Sequence, residues 1–163
     1  MKLENKPTSI TLQNFTTESG AFYASLNLSF QVFGPALNSA PIVLVNHALT
    51  GNSQVIGQNG WWNNLIGDNK TIDTNKYTIL AFNVPGNGFD KTYIENYLDF
   101  TARDIARLFL EGIRFLKIKE IFAKDFPEVQ LDDLLVDAST AHLVKEPERF
   151  DAENLFNQGL GIV

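Results

Sequence analysis

Two short apolar runs constrain this chain most. IVLV at 42–45 follows a proline, and YTILAFNV at 77–84 runs straight into Pro-Gly. Neither run alternates apolar with polar, so each suits a strand buried on both faces, as a parallel sheet requires. Upstream, SITLQNFT at 9–16 and LNLSFQVF at 26–33 do alternate. They read as half-exposed strands joined through ESGAFYAS, which predicts an antiparallel pair. From 99 to 117 the period changes: Ile105, Leu108, Phe109, Ile113 and Leu116 recur at helical spacing. Asp99 suits the N-cap or first turn, and Arg114 and Lys117 suit the C-terminal end of the helix dipole. KEIFA at 119–123 and LDDLLVDA at 131–138 read as further strands, and Pro147 can open a last helix through Asn157. These elements predict one α/β domain over 1–163: an antiparallel hairpin followed by mainly parallel strands with flanking helices.

Bulk properties narrow the partners. The 163 residues are 44% hydrophobic and 20% charged, which fits an ordinary globular chain able to bury a core. A net charge of −6 and the lack of any long Lys/Arg run argue against nucleic acid and anionic membrane surfaces. No cysteine is present, which excludes disulfides, Cys-ligated metals and a thiol nucleophile. The N-terminal MKLENKPTSITLQNF has no apolar signal segment, and no run approaches the roughly 20 residues that span a bilayer. The expectation is a cytoplasmic protein, with the sequons at Asn14, Asn27 and Asn69 accidental.

Three stretches invite chemistry. In PIVLVNHALTGN a buried strand ends at Asn46 and a loop begins at His47. Backbone N–H groups just past a strand's C-terminal end can hold a developing oxyanion. His47 itself reads first as a hydrogen-bonded structural residue. The doubled Trp61-Trp62 reads as core for at least one ring, with a pocket wall as the alternative. Gly86 and Gly88, in VPGNGFD, fit a tight turn better than a dinucleotide fingerprint, because the third glycine and an immediate helix are missing. Some 30 residues separate the two apolar runs, and connections of that length inside compact domains tend to be functional.

NHALTGN, then GWWNNLIGDNKTIDTNKYTILAFNVPGNG, then DFTARDIARLFLEGIRFLKIKEIF together resemble the homoserine O-acetyltransferase family of the α/β-hydrolase superfamily. Residues 1–123 resemble the family's N-terminal part. FPEVQLDDLLVDASTAHLVKEPERF, within 124–163, resembles its last core strand, histidine loop and final helix. The resemblance implies a reduced α/β-hydrolase-like fold. It also implies transfer of an acetyl group from acetyl-CoA, as co-substrate, to the hydroxyl of L-homoserine through an acyl-serine, a step of methionine biosynthesis. Leu49 would supply an oxyanion-hole N–H, with Thr50 and Gly51 beside it. His142 would be the general base. No cofactor and no metal are implied, and the partners are small molecules, acyl-CoA and homoserine.

The departure from the family is as informative as the match. After LKIKEIFA the family continues into a Gly-x-Ser-x-Gly turn that presents its nucleophile. Here KDFPEVQ follows, and none of Ser9, Ser19, Ser25, Ser29, Ser39, Ser53 and Ser139 has that glycine setting. The family's lid and the strand bearing its acid have no counterpart either, and Asp132, Asp133 and Asp137 receive no role. KDFPEV is too short for a parallel crossover. An antiparallel return of LDDLLV would carry His142 to the end of the sheet away from Leu49. The expectation is therefore an acyltransferase-like chain without acyl transfer. The alternative is a non-catalytic fragment or self-associating module, with a homodimer as its expected assembly.

Overall fold

The computed structural model describes residues 6–47, 51–119 and 121–122. The expected strand at 131–138, the helix from Pro147 and their relation to KEIFA lie outside the described residues.

Strands β1 (Thr8–Thr16), β2 (Phe22–Phe33), β3 (Ile42–Leu44) and β6 (Thr78–Phe82) form one sheet in the order β1-β2-β6-β3. β1 and β2 are an antiparallel hairpin, β2 pairs antiparallel with β6, and β3 runs parallel to β6. The two apolar runs are thus neighbours, Ile42 opposite Thr78 and Leu44 opposite Leu80. All five residues of β6 are buried, as expected for a central strand covered on both faces.

Two apolar layers sandwich the sheet. Leu28, Phe30, Leu80 and Phe82 meet Leu108, Phe109 and Ile113 of helix α1 (Ala102–Phe115). Ile79 and Ala81 face the opposite way and meet Val45, Val55, Ile66 and Ile72. In β1, Ile10 and Leu12 point inward until Asn14, whose φ of 57° lies in the left-handed region. The alternation resets there, so Phe15 is buried next.

Helix α1 starts three residues later than its periodicity suggested. Thr101 and Asp104 close a capping box, each side chain satisfying a backbone N–H at the other's position. Asp99 belongs instead to a short 3₁₀ turn (Tyr97–Asp99). At Gly112 the helix sits so close to the sheet that a Cβ would lie 2.6 Å from Leu28 Cδ2 and 2.8 Å from Phe82 Cε1. Only glycine permits that approach.

From 51 to 77 the connection is built from turns and one two-residue parallel pair, β4 (Ile66–Gly67) with β5 (Ile72–Asp73). Asp73, at the end of β5, accepts from Asn75 N–H at 3.0 Å and Asn69 N–H at 3.2 Å. Those bonds, led by Asn75 and aided by Lys76, hold its carboxyl below the usual carboxylate range against the effect of burial.

After α1 the chain returns to the sheet. Phe122 N–H donates to Ile42 O at 2.7 Å. Pro41 O is used by Thr78 of β6, so Ile42 O faces the other edge of β3. Ile121 forms a single bridge at that edge, and the rest of the expected strand at KEIFA is not seen among the described residues.

The hairpin is tied to the start of the helix by Tyr23, whose hydroxyl donates to Asp99 Oδ2 at 2.8 Å. Burial, then the hydrogen bond to Asp99 and its charge, pushes the phenol up to about 12. Folding therefore favours the neutral phenol. That stabilisation is complete below about pH 10, the ordinary tyrosine value, and is lost as pH rises towards about 12. Tyr23→Phe is expected to flatten the alkaline fall in melting temperature across that window, measured by thermal melts at stepped pH.

Candidate functional site at the ends of the parallel strands

In open α/β sheets, ligands gather beyond the carboxyl ends of the parallel strands. Here that place is the loop leaving β3, set against the loop leaving β6. Val45 N–H donates to Leu80 O at 2.8 Å and extends the β3–β6 ladder by one residue. His47 then turns inward and is almost fully buried. Its Nε2 accepts the Val84 N–H at 3.0 Å, which requires that nitrogen to be unprotonated. His47 is therefore a strut between the two strand ends, and its position matches the structural reading made from the sequence.

The far side of the loop is held as firmly. Ser53 N–H donates to Asn83 Oδ1 at 2.7 Å, and Ser53 Oγ donates to Gln31 Oε1 at 2.6 Å. Asn83 Nδ2 donates to Ser29 Oγ at 2.8 Å, and Asn83 N–H to Ser29 O at 2.8 Å. Asn87 Nδ2 reaches Gly51 O at 3.2 Å, and Trp61 Nε1 reaches Asn52 O at 2.9 Å. Ser29, Gln31, Ser53 and Asn83 are all buried. Among the described residues none hydrogen-bonds the enclosed Asn46 Oδ1.

Of the residues singled out from the sequence, Gly51 falls inside this arrangement. Leu49, Thr50 and His142 lie outside the described residues. Trp61 and Trp62 are both half-buried, tilted against each other at 4.6 Å between ring centroids, and packed on the layer containing Val55 and Ile79. Gly86 and Gly88 have φ of 83° and 75°, which a turn needs and a side chain resists. The polar residues behind the loop escaped sequence reasoning. β2 was expected to be half-exposed, yet Ser29 and Gln31 are buried on its second face. The available signal was Asn83, a polar residue inside an otherwise apolar run.

A groove of about 550 Å³ lies between β1 and α1 and includes Arg107 and Arg114. It shares no residue with the loop. Among the described residues no group of His, Asp and Glu is placed to hold a metal ion. Among them, too, no helix is long and apolar enough to cross a membrane.

No family model matches the chain. Individual relatives do. A homoserine O-acetyltransferase of Moorella thermoacetica is 32% identical over 127 residues, covering 65% of this chain and 34% of the relative. One from Geotalea uraniireducens is 37% identical over 127 residues, with the same coverage of 65% and 34%. The crystal structure of the Staphylococcus aureus homoserine O-acetyltransferase superposes with a TM-score of 0.61 at 32% identity, over 72% of this chain and 37% of that one. Esterase E22 has the same fold at 22% identity and a TM-score of 0.61. The chain thus spans about a third of the length of the relatives it matches. Likeness in sequence and in fold agree: the matched part of this chain is similar to homoserine O-acetyltransferases and has the fold of the corresponding part of the S. aureus enzyme.

Proposed function

We propose that the loop from Asn46 to Ser53 is the oxyanion side of an acyl-transfer site, and that this chain does not complete that site. The observation that carries the reading is the placement of the loop. It leaves a parallel strand at its carboxyl end and is pinned on both sides to β6 and the turn after it. Fixed backbone N–H groups there stabilise charge on a carbonyl oxygen under attack, without reorganisation during reaction. Leu49 would donate one such N–H, with Thr50 and Gly51 shaping the loop, and His142 would be the base. The reaction is the one its relatives' names describe, passage of an acetyl group to the hydroxyl of homoserine; acetyl-CoA is the donor that the resemblance implies, and its CoA thiol is the leaving group. An activated serine must first take the acetyl group, and no serine of this chain has the Gly-x-Ser-x-Gly setting.

Two assays test the two halves. With acetyl-CoA and L-homoserine, the chain alone is expected to release no CoA thiol above a protein-free blank; steady release would refute its incompetence. A chimera of the S. aureus relative carrying residues 41–119 of this chain in the matching place is expected to transfer acetyl groups. A folded but inactive chimera would sink the acyl-transfer reading. The second reading, a non-catalytic module that associates with itself, draws on the exposed Tyr93, Tyr97 and Leu98 beyond β6. It predicts a dimer in size-exclusion chromatography with light scattering.

A further inference from the structure

We infer that Asn83, backed by Ser29 and working with Ser53 and Gln31, is a positioning residue that fixes the Ser53 end of the loop leaving β3. The inference rests on the acyl-transfer reading for its purpose, but its geometry stands alone. The side-chain amide of Asn83 has one satisfactory orientation. Its nitrogen donates to Ser29 Oγ at 2.8 Å, which turns its oxygen towards Ser53 N–H at 2.7 Å. Ser53 is thereby gripped twice, by its N–H to Asn83 just past β6 and by its hydroxyl to Gln31 of β2 at 2.6 Å. His47 performs the same service at the other end through Val84 N–H. The loop is clamped on both sides to one pair of adjacent residues, Asn83 and Val84.

The expense of this arrangement argues that position matters here. Burying amides and hydroxyls is costly unless every group is bonded, and an apolar filling of equal volume would stabilise the fold at least as well. Instead, four polar side chains are buried at the one point where the loop meets the sheet. A catalytic N–H must be held to within about 0.5 Å of its working place, and supporting hydrogen bonds behind the loop add to packing in holding it there.

Amide hydrogen exchange on the intact chain tests the clamp, with Leu28 as the reference for global opening. Asn83→Ala is expected to lower protection of the Ser53 amide at least about tenfold more than that of Leu28. Asn83→Asp keeps an acceptor for Ser53 N–H and is expected to restore most of that difference. Equal losses at Ser53 and Leu28, or no rescue by aspartate, would overturn the inference. If Asn83→Ala does not fold, Ser53→Ala reads the clamp from the hydroxyl side. Unchanged relative exchange at positions 51 and 53 would then overturn it.

In the chimera, Asn83→Ala should lower kcat about tenfold or more while KM stays within about twofold, since the loop acts on the transition state. An unchanged kcat would overturn the positioning role. An inactive parent chimera beside intact protection at Ser53 would instead refute the acyl-transfer reading and leave the clamp standing.

Discussion

Asp104→Ala is expected to cost about 2–4 kcal/mol of folding stability, from the lost helix cap and the backbone donors left without their acceptor. Asp104 is fully buried and joins three parts of the molecule. Its Oδ2 accepts Thr101 N–H at 3.0 Å to complete the cap of α1. Its Oδ1 accepts Glu18 N–H at 3.0 Å, which docks the β1–β2 turn onto the helix, and Arg107 at 3.1 Å. Alanine leaves both backbone donors and the guanidinium without their acceptor. Asp104→Asn should recover only part of the loss, because an NH₂ would face a donor on one side or the other. Chemical denaturation, read by the midpoint at constant slope, checks both variants.

Phe82→Ala is expected to cost a similar amount, about 3–5 kcal/mol, for a different reason. The ring is fully buried, stacks on Phe109 at 5.2 Å and tilts against Phe30 at 5.8 Å. It is also the surface on which α1 rests at Gly112. Truncation opens a cavity between helix and sheet that the neighbouring rings cannot fill. A small domain holds only about 5–15 kcal/mol in total, so this variant should unfold at much lower denaturant and melt at much lower temperature. A loss below about 1 kcal/mol would mean that the layer between β6 and α1 is not the core of the fold.

The central strands were legible in the sequence because a strand covered on both faces leaves a continuous apolar run, and β3 and β6 both do. The hairpin was legible from alternation, although alternation misled on β2. Ser29 and Gln31 look like a solvent face, but the layer above them is a polar loop that takes up their hydrogen bonds. The helix was found from its period and its start misjudged, because Thr101-x-x-Asp104 outranks Asp99 once the cap is seen as a reciprocal pair. The pair β4–β5 carries two residues per strand, too few for any pattern.

The site divides the same way. His47 could be read from its place at a strand end. The clamp could not, since Gln31, Ser53 and Asn83 are 22 and 30 residues apart along the chain and meet only through the β2–β6 pairing.

The most direct test of the account is whether this chain contains an activated serine. Purified protein, shown by a cooperative melt to be folded, is incubated with a fluorophosphonate probe and its intact mass is read. The account predicts an unmodified mass, because no serine of the chain has the Gly-x-Ser-x-Gly setting. A single stoichiometric adduct that maps to one serine and vanishes in His142→Ala would contradict it.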